Sequence, residues 1–167
     1  VCLSVEQGNC DIAMAGLTVN ETRQEHVVFC EPYYQASQRI LVPGDSDTFA
    51  GCTTTEELET RLASMGSDIT AGVQTGTTGQ SYLQGDEAWG FPGYDISCKA
   101  YQSVALAVQD MLNGNLDFVI ADEAPATLLT ERLSSAGSLG DKVRSFHREL
   151  TDKGGYSLIL LGLRNTL

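Results

Sequence analysis

The apolar positions of the chain fall into short runs separated by segments of helical periodicity. In the segments at 53–65 and 104–112, Leu58 with Leu62 and Val104 with Val108 share one helical face. Strands that alternate with helices of this length predict βαβ units, and hence an α/β fold with a parallel sheet covered by helices. The strand-length apolar runs are residues 12–15, 27–29, 38–42, 69–74, 96–100, 116–121 and 156–163.

The two ends of the chain have a different pattern from its middle. Val1 to Gln7 reads as the end of a helix that stops at Gly8. The run at 156–163 is uniformly apolar, which predicts a strand covered on both faces, and the sequence stops four residues after it. We therefore expect an incomplete unit formed by the two ends and a complete one at about 38–155.

Composition and charge narrow the possible partners. The 167 residues suffice for one domain or for one and part of a second, and 42% of them are hydrophobic. The net charge of -12 repels phosphate backbones and anionic lipid, so nucleic acid and membrane surfaces are poor partners. No apolar run reaches the roughly 18–20 residues of a membrane span, and the first residues do not form a signal peptide. The five cysteines lack the paired spacing of a zinc site.

Arg23 is the first candidate for binding chemistry. Its guanidinium offers a two-pronged donor that matches a carboxylate, and the Thr18 hydroxyl lies five residues earlier. The alternative is a surface arginine paired with Glu21 or Glu25, which is common and contributes little to stability. The local sequence leaves both interpretations open.

Two further candidates follow predicted strands. The segment from Gly76 to Gly79 opens a helix and favours an anion, with the Thr78 hydroxyl as donor, although it lacks the lysine of a P-loop. Asp122 follows the strand FVIA, where open α/β sheets place ligand-binding groups, and its carboxylate suits an ammonium group. The alternatives are helix capping by Thr77 or Thr78, and by Asp122 with Glu123. Arg23, Thr78 and Asp122 together offer a cation, a neutral donor and an anion. These groups match the carboxylate and the ammonium group of a zwitterion.

Catalytic and cofactor motifs are not evident. His26 and His147 have no serine or cysteine motif around them, and no pair of carboxylates stands out for acid–base chemistry. We therefore expect a non-enzymatic protein without a cofactor or a metal.

Four stretches of the chain resemble a known family in the family's own order. The first is GNCDIAMAGLTVNETRQEHVVFCEPYYQASQRILV, followed by GVQTGTTG, NGNLDFVIADEAPA and YSLILLGLR. They are similar to the bacterial extracellular solute-binding proteins of family 3, the polar amino-acid binding components of ABC importers. The resemblance covers nearly the whole chain, with Asn20 where the family usually has threonine and Cys30 where it has serine or threonine.

The resemblance implies a periplasmic-binding-protein-like α/β fold with two lobes that close on the ligand. One complete βαβ lobe would span 38–160, and a partial lobe would combine 1–37 with 161–167. Gln38–Val42 and Ser157–Leu163 would be the two crossover strands. Family members have further segments before Val1 and after Arg164, so the resemblance also implies a chain truncated at both ends.

Functional residues carry over from the family by position. Arg23 resembles the arginine that holds the α-carboxylate, with Thr18, Thr77 and Thr78 as neighbouring donors and Gly16 contributing backbone. Asp122 resembles the carboxylate that takes the α-ammonium group. The implied ligand is a free amino acid of unspecified side chain, and the implied protein partner is an ABC-transporter permease. A periplasmic or extracytoplasmic location is implied as well, while the missing signal peptide leaves the cytoplasm open.

Two alternatives stand beside this interpretation. A remnant lobe with an uncovered edge would aggregate, so a homo-oligomer that covers the incomplete lobe, without ligand binding, is the main alternative. An enzymatic alternative rests on the similarity of cyclohexadienyl dehydratases to the same family, which is an analogy of fold alone.

Overall fold

The computed structural model describes residues 1–135, 143–146 and 155–161 of the chain. These residues form two compact units. The first contains residues 1–36 and the strand at 155–161, and the second contains the described residues from Ser37 to Phe146.

The first unit is a four-stranded antiparallel sheet with two short helices. Its central strand is β9, which pairs with β1 along one edge and with β2 and β3 along the other. Val5 and Val27 form its small core. Its elements are α1 (Cys2–Glu6), β1 (Ile12–Thr18), α2 (Glu21–Gln24), β2 (Val28–Phe29), β3 (Tyr34–Ala36) and β9 (Gly155–Leu161).

The position of β9 differs from the sequence prediction, which assigned residues 155–160 to the other lobe. Here Tyr156 and Ser157 pair with β3, and the following residues pair with β1 and β2. An apolar run predicts a strand, but it does not predict which strands it pairs with. Residues 162–167, which complete the predicted second crossover strand and lobe segment, lie outside the described residues.

The second unit is a five-stranded mixed sheet between two layers of helices. Strands β6, β5 and β7 are parallel, whereas β4 runs antiparallel to β7 and to β8. The prediction of a parallel sheet is therefore correct for three strands and wrong for the other two. Its elements are β4 (Gln38–Pro43), α3 (Thr55–Ala63), β5 (Thr70–Gln74), α4 (Thr78–Gln84), β6 (Ser97–Tyr101), α5 (Val104–Leu112), β7 (Phe118–Asp122), α6 (Glu123–Ser135) and β8 (Val143–Phe146).

Strand β4 is buried on both faces because two hydrophobic cores flank the sheet. Ile40 and Val42 contact the core that contains Leu58 of α3 and Leu83 of α4. Leu41, which points to the opposite face, contacts the core of α5 and α6. Successive strand residues point to opposite faces, so Gln38 shares the α3 and α4 side, and Arg39 shares the α5 and α6 side.

Candidate functional site

Arg23 is anchored within the first unit by its neighbours. Asn20 caps α2, since its Oδ1 accepts from the Arg23 backbone N–H at 2.8 Å. The Arg23 guanidinium donates from Nη1 to the backbone oxygen of Thr18 at 2.7 Å, and Thr18 itself is buried. The structure thus brings Arg23 to the end of β1. The guanidinium is a planar donor set that suits a carboxylate.

Gly16 lies at an irregularity of β1. The register of β1 with β9 shifts between Met14 and Leu17, which is a β-bulge. Gly16 has a φ of 58°, in the left-handed region that glycine adopts readily. The bulge interrupts the regular ladder just before Thr18, so it places irregular backbone beside the arginine anchor.

The threonine loop of the second unit is held by hydrogen bonds of its own. Thr77 precedes α4, but its Oγ1 donates to the backbone oxygen of Gln74 at 2.7 Å and does not cap the helix. The backbone N–H of Gly76 donates to Oε1 of Gln80 at 2.8 Å. Thr78 is buried as the first residue of α4. Capping by the Thr77 side chain is therefore wrong, and these hydrogen bonds hold the loop that precedes Thr78.

Asp122 is the last residue of β7, at the carboxyl end of the strand as the sequence predicted. It lies directly opposite Gln38 in the antiparallel pairing of β7 with β4. The Gln38 side chain donates from Nε2 to Oδ1 of Asp122. Sequence reasoning missed Gln38, because a glutamine at the start of an apolar run looks like a strand boundary.

Glu123 makes an ion pair, where the sequence suggested a helix cap. Arg39 donates from Nη2 to Oε1 of Glu123, and the Ser37 hydroxyl donates to Oε2 at 2.8 Å. The backbone N–H of Glu123 also donates to the Ser37 oxygen at 2.9 Å. The first residue of α6 is thus fixed to the start of β4, directly beside Asp122. The only signal in the sequence was the charged Arg39 inside an otherwise apolar run.

Ionisable groups with displaced pKa values lie elsewhere in the second unit. Burial, with a hydrogen bond to Asp110, raises the pKa of Tyr101 to about 12. Burial also raises the pKa values of Tyr82 and Tyr94. These groups are stabilised in their neutral forms, which suits structural roles better than proton transfer at neutral pH.

The other predicted reactive residues have ordinary surroundings. His26 is half exposed and lies 3.0 Å from a carboxylate oxygen of Glu6, whereas His147 lies outside the described residues. All five cysteines are free, and partial burial raises the pKa of Cys98. Among the described residues, no cluster of three His, Cys, Asp or Glu could hold a metal ion. No helix in the described part of the chain has the length and hydropathy of a membrane span.

The chain matches a protein family over residues 1–160, that of the bacterial extracellular solute-binding proteins, family 3. The arginine-binding periplasmic protein of Mannheimia haemolytica is 27% identical over 142 residues, which are 85% of this chain and 50% of that protein. The probable histidine-binding protein of Neisseria gonorrhoeae is 27% identical over 124 residues, or 72% of this chain and 40% of that protein. The chain thus spans about half the length of the curated relatives it matches.

A solved structure gives the same assignment at the level of the fold. An ancestral arginine-binding protein bound to arginine superposes with a TM-score of 0.72 and 23% identity, covering 96% of this chain and 61% of that protein. At this identity the similarity shows the fold alone. The α/β fold of periplasmic binding proteins is therefore confirmed.

Proposed function

The chain belongs to the bacterial extracellular solute-binding proteins of family 3, a class of binding proteins rather than enzymes, and we propose that it binds a free amino acid. The observation that carries the proposal is the anchored guanidinium of Arg23, whose Nη1 lies 2.7 Å from the Thr18 oxygen. A cation held by protein backbone loses little side-chain entropy when it binds an anion. Arg23 is accordingly the residue that would grip the α-carboxylate.

Each of the remaining predicted residues has its own role in the proposal. Thr18 and Thr78 add hydroxyl groups for the α-carboxylate, and both are buried, which limits their movement. Gly16 contributes backbone, and Thr77 supports the loop through its hydrogen bond to Gln74. Asp122 takes the α-ammonium group, since a carboxylate fixed by a neighbouring amide accepts from an ammonium with little reorganisation.

The side chain of the ligand is proposed to be cationic. The relatives compared above carry names that specify arginine and histidine. The net charge of -12 produces a negative potential that attracts cations and repels glutamate or aspartate. We also propose an extracytoplasmic location and delivery of the ligand to an ABC-transporter permease, on the basis of family membership.

A thermal-shift and calorimetry panel tests the proposal. Arginine, lysine, histidine, glutamine and glutamate are added singly at millimolar concentration, with agmatine as the arginine analogue that lacks the carboxylate. A ligand at 100 times its Kd stabilises the folded protein by about 2.7 kcal/mol. We expect a shift with arginine, lysine or histidine and none with agmatine. Absence of any shift across the panel would overturn the proposal.

A second candidate is self-association, which the first unit favours. Ile12, Met14 and Val28 have exposed fractions of 55%, 70% and 56%. Ile12 and Val28 lie opposite the same residue of β9, and Met14 is two residues from Ile12, so the three share one face of the sheet. An exposed apolar face of this kind favours a second copy of the chain as its cover.

Light scattering on the native particle tests self-association. The proposal predicts a dimer or larger species at tens of micromolar, and a shift to monomer in Met14→Lys. A wild-type monomer under these conditions contradicts it. Running the amino-acid panel on the same samples separates the two candidates, because binding and mass are measured independently.

A further inference from the structure

Gln38 is a polar side chain in an apolar environment. It is 4% exposed and shares its face of β4 with Ile40 and Val42, whose neighbours are the hydrophobic residues of α3 and α4. Burial of a primary amide is unfavourable unless its donors and acceptor are hydrogen bonded. The position of this amide therefore requires a reason other than packing.

The chemistry of Asp122 fixes the orientation of the amide. An ionised carboxylate only accepts hydrogen bonds, so the Nε2 group of Gln38 must face Asp122 and Oε1 must point away from it. Oε1 is buried and has no hydrogen-bond partner in the described part of the chain. The hydrogen bond from Nε2 to Asp122 thus leaves Oε1, a buried acceptor, without a hydrogen bond in the described residues.

Gly79 accounts for the space on the other side of the amide. A methyl group at Gly79 would lie 3.0 Å from Oε1 of Gln38 and 3.0 Å from Cγ2 of Ile120. Contacts that short are tighter than ordinary van der Waals packing. The Gln38 amide therefore has the carboxylate of Asp122 at its Nε2, and its Oε1 faces the position where Gly79 has no side chain.

We propose that Gln38 is a positioning residue that sets the orientation of the Asp122 carboxylate for the ammonium group of the ligand. The inference rests on the proposed function, in which Asp122 accepts from the α-ammonium. The amide donor holds Oδ1, so the plane of the carboxylate is set before ligand arrives. Gly79 has an indirect role, because the absence of a side chain there leaves room for the Gln38 amide.

The first test needs no ligand. Proton exchange of the Gln38 side-chain amide is followed by NMR in the wild type, with the exposed Gln109 amide as the internal reference. A hydrogen bond to a charged acceptor is expected to slow exchange at Gln38 by roughly tenfold or more. Asp122→Ala removes the acceptor and should reduce the protection to what burial alone gives; unchanged protection in this variant also overturns the inference. Equal exchange at Gln38 and Gln109 in the wild type overturns the inference.

The second test measures amino-acid affinity by calorimetry. Gln38→Leu keeps the approximate volume but removes the donor, and should raise Kd roughly tenfold. Gln109→Leu is the matched control and should leave Kd unchanged. In an Asp122→Asn background, Gln38→Leu should add little, because a residue that acts through Asp122 is not additive with it.

A comparison of ligands separates positioning from general stability. Gln38→Leu should weaken an amino acid more than its analogue without the α-ammonium group, whereas a loss of folding would weaken both. Gly79→Ala should reproduce the effect with the amide still present. Unchanged affinity in Gln38→Leu, while the wild type binds, overturns the inference. A wild type that binds no amino acid, with Gln38 still protected, overturns the proposed function and leaves the orienting contact established.

Discussion

Arg39 and Glu123 form an ion pair between the start of β4 and the first residue of α6. The arginine side chain is 10% exposed and the glutamate side chain 33%. The Ser37 hydroxyl holds the second carboxylate oxygen at 2.8 Å, so Glu123 is fixed from two sides. Since Asp122 directly precedes Glu123, the pair also fixes the backbone that carries the proposed ammonium acceptor.

Removing the charge of Glu123 should therefore destabilise the fold. Glu123→Gln leaves the Arg39 guanidinium buried without its counter-ion, and its Nε already has no hydrogen-bond partner in the described residues. We expect the free energy of unfolding to fall by about 2–4 kcal/mol. This is less than for a fully buried ion pair, because Glu123 is partly exposed. Urea denaturation measures it. The exposed Glu87→Gln is the matched control, and equal stability of the two variants would contradict the prediction.

Arg23→Lys tests the anchored guanidinium in ligand binding. A lysine ammonium has no planar fork, so it cannot reach the Thr18 oxygen and also hold a carboxylate through two parallel hydrogen bonds. We expect Kd for the amino acid to rise about 10–100-fold, with the free energy of unfolding little changed. Calorimetry measures Kd, and the exposed Arg61→Lys serves as control. Equal affinity for the wild type and Arg23→Lys would remove Arg23 from the site.

Tyr101 and Asp110 predict a pH dependence at both extremes. The pKa of Tyr101 is raised from 10.0 to about 12, first by burial and then by the hydrogen bond to Asp110. Its stabilising contribution is thus present below pH 10 and is lost as pH rises towards 12. The pKa of Asp110 is lowered from 3.8 by hydrogen bonds from Tyr101 and Asn115, so its contribution is present above that pH and is lost in acid.

Asp110→Asn should lower the pKa of Tyr101 part of the way to 10, because burial remains after the carboxylate is gone. NMR titration of the tyrosine Cζ carbons measures it, and Tyr101→Phe identifies the signal among the six tyrosines. Asp110→Asn should also lack the part of the folding stability that the wild type loses in acid, when Asp110 becomes protonated. An unchanged titration of Tyr101 would show that the contact with Asp110 is not formed in solution.

Gly72 tests the packing of α5 against the sheet. A methyl group there would lie 2.6 Å from Cδ1 of Leu116 and 3.3 Å from Cβ of Ala107. Gly72→Ala should destabilise the fold by about 1–3 kcal/mol through overpacking, as measured by urea denaturation. Gly66→Ala is the control, since its methyl would meet only Oδ1 of Asp68 at 3.1 Å, and it should change stability by less than about 0.5 kcal/mol. Similar values for the two variants would show that this core yields to added volume.

Local features of the fold were predictable because their causes lie within a few residues. Gly8 has the left-handed conformation that the sequence predicts at the end of the first helix, and the caps of α2 and α3, Asn20 and Thr54, bond to backbone three residues away. The alternation of strands and helices from β5 to α6 was equally readable. The Thr77 cap was wrong, because a hydroxyl beside a helix start has more than one backbone acceptor within reach.

The amino-acid sequence by itself determined most of the strands and helices, although not β3 and β8, together with the family and the charged residues available for a zwitterion, since these depend on local pattern and composition. The tertiary structure alone decided that β4 runs antiparallel in a mixed sheet, that β9 pairs with β1 to β3, and that Gln38 and Arg39 face Asp122 and Glu123. Those contacts join residues 84 positions apart. Periodicity reports how deeply a strand is buried, but pairing and direction are set by packing between distant segments.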